Sequence, residues 1–177
     1  MDLTKHMKNF LNQSPESPTH VSVAALLRNA EGKILVHHFK KDDLPNESEG
    51  KGDLYIVMRE SLHMGESLEA AAARGLMEEY GATGTIIDFL GTIVSHFPCT
   101  DDTMIMVEKT VLYFLVDFVS IDESLREAGA VESRSKLLWL SPEELLEKNI
   151  TQAARYTRTD IDDSKIIRDY IDRYGDN

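Results

Sequence analysis

The sequence predicts an α+β domain: a mixed β-sheet held between helices. Three observations carry this. Runs rich in β-formers alternate with helical stretches along the chain, and the run Lys109 to Val116 is apolar enough for a strand buried on both faces. Helices are signalled near 67–80, after Ser141 and over 160–174. At 177 residues the chain suits one core and is short for two ordinary domains.

Taken in order, residues 1–19 are polar apart from Leu3, Met7, Phe10 and Leu11, a spacing that predicts a short amphipathic helix before the break at Ser14-Pro15-Glu16-Ser17-Pro18. Val21–Leu27 and Ile34–Phe39 predict two strands joined by a turn in which Gly32 supplies positive φ. His37 and His38 are neighbours in the second strand and face opposite sides, so they cannot ligate one metal together. Residues 40–53 read as a charged surface loop, either a substrate lid or plain solvated chain. Leu54–Met58 returns as a short strand and leads into the loop Arg59-Glu60-Ser61-Leu62-His63-Met64.

Residues 65–82 carry the chemistry. Ser67 is placed as an N-cap, Glu69 lies in the favourable first turn, alanines 70–73 propagate the helix, and Gly81 supplies the left-handed residue that ends it. Arg74 and Glu78 share a face four residues apart, and Glu78 and Glu79 project about 100° from one another. Leu68, Ala72 and Leu76 make the packing stripe. Gly75 is anomalous: in mid-helix it costs roughly 1 kcal/mol relative to alanine.

Beyond this helix, Thr83–Phe89 and Gly91–Phe97 predict strands interrupted at Gly91, and Met104–Val119 predicts the longest β-stretch. Residues 120–135 are an acidic connection. Leu137–Leu140 is a further strand, and Ser141-Pro142-Glu143-Glu144 opens a helix with a capping box and proline at its first position. Ile161, Ile166, Ile167, Tyr170, Ile171 and Tyr174 recur at helical spacing in a last helix, suited to core packing or to a homodimer contact.

The order Glu66, seven residues, Arg74, Leu76, Glu78-Glu79, Gly81 resembles the Nudix box, whose loop-helix-loop holds Mg2+ against the diphosphate of a nucleoside diphosphate derivative. The box's opening glycine falls on Glu60, and the glutamate that follows its arginine falls on Gly75. The Met104–Val119 stretch and the Trp139-Leu140-Ser141-Pro142-Glu143-Glu144-Leu145 ending are also similar to the family, extending the resemblance over 20–148. It implies an α/β/α sandwich around a mixed sheet, with residues 1–19 as an appendage and 149–177 as a helical extension packed on the same domain.

The resemblance further implies a Mg2+-dependent (or Mn2+-dependent) pyrophosphohydrolase of a small nucleotide substrate. Glu66, Glu78 and Glu79 would hold metal, Arg74 would orient them, and Glu108 would serve as a catalytic base. Because Gly75 removes one box carboxylate, the site is expected to be weakened or substituted, with Glu60, His63 and Glu108 as candidate replacements. The alternative is a silent Nudix-like domain that binds a nucleotide or a partner protein as a sensor.

Composition bounds the partners. A net charge of −12 argues against binding a nucleic-acid polymer, whose affinity rests on phosphate neutralisation. The longest apolar run, Val111–Val116, is far short of the roughly 20 residues of a membrane helix, which predicts no membrane span. A cytoplasmic protein is the default, and lone Cys99 excludes an internal disulfide.

Overall fold

The structure, a computed structural model, describes residues 10–14, 17–41, 52–98, 106–156 and 159–175. Residues 1–9, most of the 40–53 loop and Cys99 lie outside the described residues.

The sheet is built on β2 (Ser17–Arg28). Along one edge β2 meets, in succession, β1 (Phe10–Ser14), β5 (Met58–Ser61) and the start of β3 (Ile34–Phe39), all antiparallel. Along its other edge it runs parallel to β7 (Met106–Ile121), from Thr19↔Glu108 to Arg28↔Asp117. β7 then pairs antiparallel with β6 (Ala82–Pro98). β3 carries β4 (Leu54–Ile56) on one side and β8 (Lys136–Leu140) on the other. The sheet is therefore mixed, as predicted.

Side chains alternate across this sheet, and each face is covered. On one face Val23, Ala25, Met58 and Phe114 pack against Ala71, Ala72 and Leu76 of the 65–82 segment. On the other, Ala24, Val57, Val111 and Tyr113 pack against Leu145 of α2 (Pro142–Tyr156) and Ile166, Ile167 and Tyr170 of α3 (Ser164–Tyr174). This is an α/β/α sandwich. The apolar stripe of the last helix is thus used in this chain's own core. α2 also runs unbroken through residues 148 and 149, where the sequence reading divides domain from extension.

Four local expectations are corrected. Phe10–Ser14 is a strand, because its residues pair with β2 across the Ser14–Ser17 reversal and tertiary pairing overrides the weak helical spacing. Leu54–Ser61 is two strands, β4 and β5, which leave Val57 to join different neighbours. Glu60 therefore sits on a strand, where a loop is predicted. β6 is continuous: Gly91, with φ of 141°, forms a bulge in it. The predicted capping box of α2 is present, with Ser141 Oγ accepting from Glu144 N at 3.2 Å and Glu144 Oε2 accepting from Ser141 N at 3.0 Å.

Candidate active site

The 65–82 segment forms α1 (Leu68–Gly75) followed by a π-helical turn, Leu76–Tyr80. Ser67 Oγ caps the helix by accepting from Ala70 N at 3.1 Å, and Gly81, at φ of 65°, ends it in the left-handed region. A wider turn here moves the adjacent glutamates off ideal α-spacing. Two adjacent residues of the acidic connection hold it: Glu127 N donates to Glu78 O at 2.8 Å, and Arg126 Nε donates to Glu79 O at 2.8 Å.

Arg74 is the hub of the exposed side. Its Nε and Nη2 donate to the two oxygens of Glu66, each at 2.9 Å, a bidentate pairing. Nη2 also donates to Ser61 O at 2.8 Å. Nη1 lies 3.0 Å from Glu60 Oε1 and 3.4 Å from Glu78 Oε2, so those two carboxylates converge on one nitrogen. The Arg74 guanidinium holds the Glu66 carboxyl down to about 2. Burial pushes Glu60 upward, against the pull of Arg74.

A depressed carboxyl contributes stability that is present above its unfolded value of about 4.3 and lost as pH falls toward the folded value. Thermal melts between pH 4.5 and 2 are therefore expected to show a shallower acid decline in Glu66→Gln than in wild type. Equal slopes would mean that the Arg74–Glu66 pair does not form in solution.

Glu60 and Gly75 explain one another. β5 directs Glu60 onto the face that α1 covers, and a Cβ at Gly75 would lie 2.6 Å from Glu60 Cβ and 2.6 Å from Met58 Sδ. No side chain fits there while Glu60 is present. The helix has a glycine where the family motif has a glutamate, and the strand facing it has a glutamate where the motif has a glycine.

Glu79 goes elsewhere. It is 8% exposed, its Oε2 lies 2.7 Å from His37 Nε2, and its Oε1 accepts from Arg59 N at 3.2 Å. Burial raises the Glu79 carboxyl well above its ordinary value, and burial together with Arg126 lowers His37 to about 3. Both shifts favour the neutral forms. His37 Nδ1 in turn meets Ser135 Oγ at 2.7 Å.

The sequence-predicted set is thus divided. Glu66, Arg74 and Glu78 are together and joined by Glu60; Glu79 is buried behind them. His63 is exposed, 4.0 Å from Glu66. Glu108 faces solvent on β7, 3.7 Å from His96, and stands four residues along the strand from Leu112, which is level with Val23 and Glu60. At roughly 3.3 Å per residue that separation keeps Glu108 away from the cluster.

Among the described residues no three His, Cys, Asp or Glu side chains stand ready to hold a metal. Magnesium needs only one or two protein carboxylates when substrate phosphates and water complete its shell, and Glu60 and Glu78 supply two. Sequence reasoning missed His37, Ser135 and Arg126; its only signal was the strand parity that sets His37 opposite His38. Three clefts among the described residues are lined by none of these carboxylates. One of ≈ 450 Å³ is lined by Asp53 and Tyr55 with α2 residues such as Lys148 and Arg155.

A family model described as NUDIX domain matches residues 18–160. The chain belongs to the NUDIX family. Among solved structures it is similar to a NUDIX hydrolase from Nitrosomonas europaea, with 20% identity and a TM-score of 0.59 over 88% of this chain and 90% of that one. It is also similar to the E. coli ORF135 protein, with 19% identity and a TM-score of 0.59 over 89% and 92%. At these identities the likeness is one of fold. A comparison with curated proteins finds no match. No helix among the described residues is long and apolar enough to cross a membrane. The family match ends before α3, which packs on the back of the sheet in this NUDIX chain.

Proposed function

We propose that this chain is a metal-dependent hydrolase, cleaving a diphosphate linkage in a small nucleoside diphosphate derivative in the cytoplasm, with Glu60 in place of the carboxylate missing at Gly75. The observation that carries the reading is the contact between those two positions, since the Cβ direction of Gly75 ends on Glu60. A lost glutamate with an unrelated glutamate elsewhere would suggest decay. A glutamate regained in the same space suggests a retained function.

Glu60 Oε1 is anchored by Arg74 Nη1 and by Ser61 N, at 3.0 and 2.8 Å. Glu78, 39% exposed at its side chain, meets the same Arg74 nitrogen. These two would hold Mg2+ or Mn2+, which supplies polarisation of a phosphoryl oxygen and acidification of a water. Arg74 fixes both carboxylates through one nitrogen, and Glu66 fixes Arg74 through two. Such positioning from locked side chains is what a phosphoryl site requires of its protein.

A second reading, a silent nucleotide-binding domain, is favoured by one observation: Glu79 is spent on His37. The two readings separate in a screen of nucleoside diphosphate derivatives with Mg2+, assayed for released phosphate groups. Turnover by the wild type and a fall of roughly 10²-fold or more in Glu60→Gln is the expected result. Calorimetric nucleotide binding without turnover on any compound would establish the silent domain.

A further inference from the structure

Residues 122–135, within the acidic connection, run across the end of the box helix as a strap. The carbonyls that close that end, Glu78 O, Glu79 O and Gly81 O, have no partner further along their own helix. The strap supplies one for each. Glu127 N donates to Glu78 O, Arg126 Nε to Glu79 O and Asp122 N to Gly81 O, all at 2.8 Å. The approach is close: a Cβ at Gly81 would lie 2.1 Å from Asp122 O, so glycine there serves the strap as well as the left-handed turn.

Arg126 also ties the strap to itself. Most of the strap is exposed, yet the side chain of Arg126 is only 11% so. Its Nη2 donates to Ser135 Oγ at 2.9 Å and to Glu132 O, and its Nη1 donates to Ser135 O at 3.3 Å. One guanidinium therefore joins the far end of the strap to the π-turn. A lysine, with a single point of charge, cannot span both.

We infer that Arg126 is a positioning residue of the carboxylate site, acting through the strap to hold the π-turn from which Glu78 projects. This deepens the hydrolase reading and rests on it for the role of Glu78; the hold on the turn stands apart from that reading. A π-turn is a rare departure from the α-helix and needs support from its surroundings. The sheet supports it from below, through buried Leu76 and Tyr80, and the strap supports it through the main chain of Glu78 and Glu79. Without the strap the turn is free to tighten to ordinary α-spacing, which swings Glu78 relative to Glu60 and Arg74. The close partners of Arg126 are three main-chain carbonyls and Ser135 Oγ, so it works through the backbone.

Two variants test this, by amide hydrogen exchange on the metal-free protein and by titration with Mn2+. Arg126→Gln removes the fork. Glu127→Pro removes the N–H that meets Glu78 O, and Arg126, at φ of −59° and ψ of 141°, already has the backbone that suits a residue before proline. Both are expected to speed exchange at Tyr80 and Gly81 by about tenfold or more, with Ala72 to Gly75 of α1 exchanging as in wild type. Both should also bind Mn2+ about tenfold or more weakly.

Wild-type exchange and Mn2+ affinity in both variants would overturn the inference, as would faster exchange in the turn with no loss of Mn2+ affinity. Protection lost evenly across α1 and the sheet would overturn it too, since Arg126 would then serve the whole fold. If the wild type itself binds no Mn2+, the hydrolase reading fails and Arg126 positions no cation site. The exchange pattern then decides on its own whether the strap sets the turn.

Discussion

Asp163→Ala is expected to cost the fold about 3–5 kcal/mol, because it leaves a buried guanidinium without its counter-charge. Arg59 precedes Glu60 on β5 and so points through the sheet, away from the carboxylate cluster, to the face covered by α2 and α3. There its Nη2 donates to Asp163 Oδ1, which also accepts from the Tyr113 hydroxyl. The side chains are 10% and 1% exposed. Burial alone would lower the Arg59 pKa, but Asp163 and Tyr113 overcome it and hold the group above an ordinary arginine, so it stays charged at every working pH. Asn149 of α2 completes the arrangement by accepting from Asp163 N at 3.0 Å. At about 2–4 °C per kcal/mol for a domain of this size, calorimetry should show a melting temperature lower by about 10 °C. Asp163→Asn, which keeps the shape and an acceptor, should lose less. A shift under about 2 °C in the alanine variant would mean that the ion pair contributes nothing.

Gly75→Glu is expected to destabilise the protein by about 1–3 kcal/mol, the cost of overpacking a closed contact. Helix propensity alone predicts the opposite sign, a gain of about 1 kcal/mol, and would also predict better metal binding. The structure reverses this: the new Cβ would meet Glu60 Cβ and Met58 Sδ, each at 2.6 Å. The informative variant is the exchange, Glu60→Gly with Gly75→Glu, which empties the strand position as it fills the helix position. In a double-mutant cycle the pair should recover most of the stability lost by Gly75→Glu alone, a coupling of about 1–3 kcal/mol for residues in contact. Metal-dependent turnover should follow the same pattern. Additive losses would show that the two positions are independent and that Glu60 has replaced nothing.

The architecture was legible wherever the signal was local. Ser67, Gly81 and Ser141 carry cap chemistry that needs no tertiary context, and each caps as its sequence position predicts. Long apolar runs gave β7 its place, but pairing partners were hidden, because only the folded sheet decides that β4 joins β3 while β5 joins β2. At the site, spacing identified Arg74 with Glu66 and Glu78, all on or beside one helix. The reach of Glu60 to Gly75 was illegible: fifteen positions separate them, and their contact depends on which face of β5 meets α1. His37 was harder still. Strand parity set it opposite His38, but nothing local says that Glu79, Ser135 and Arg126 converge on that side. A carboxylate pair in a sequence looks like two equal ligands, and burial makes them unequal.

The parallel union of β2 with β7 bears on how the chain reaches its native state. Their closing ion pair, Arg28 with Asp117 at 2.7 Å, joins residues 89 positions apart, and every rung between Thr19 and Arg28 has a comparable separation. Such pairings are slow, since the loop entropy is lost before any contact repays it. On a growing chain the box helix emerges early and can coil locally, but the face that it covers is incomplete until Phe114 and Val116 arrive. An eight-residue helix is marginal alone, so the carboxylates around Arg74 are expected to lack a fixed arrangement until that floor is made. Their final geometry is set late, when the last long strand slides in beside the first.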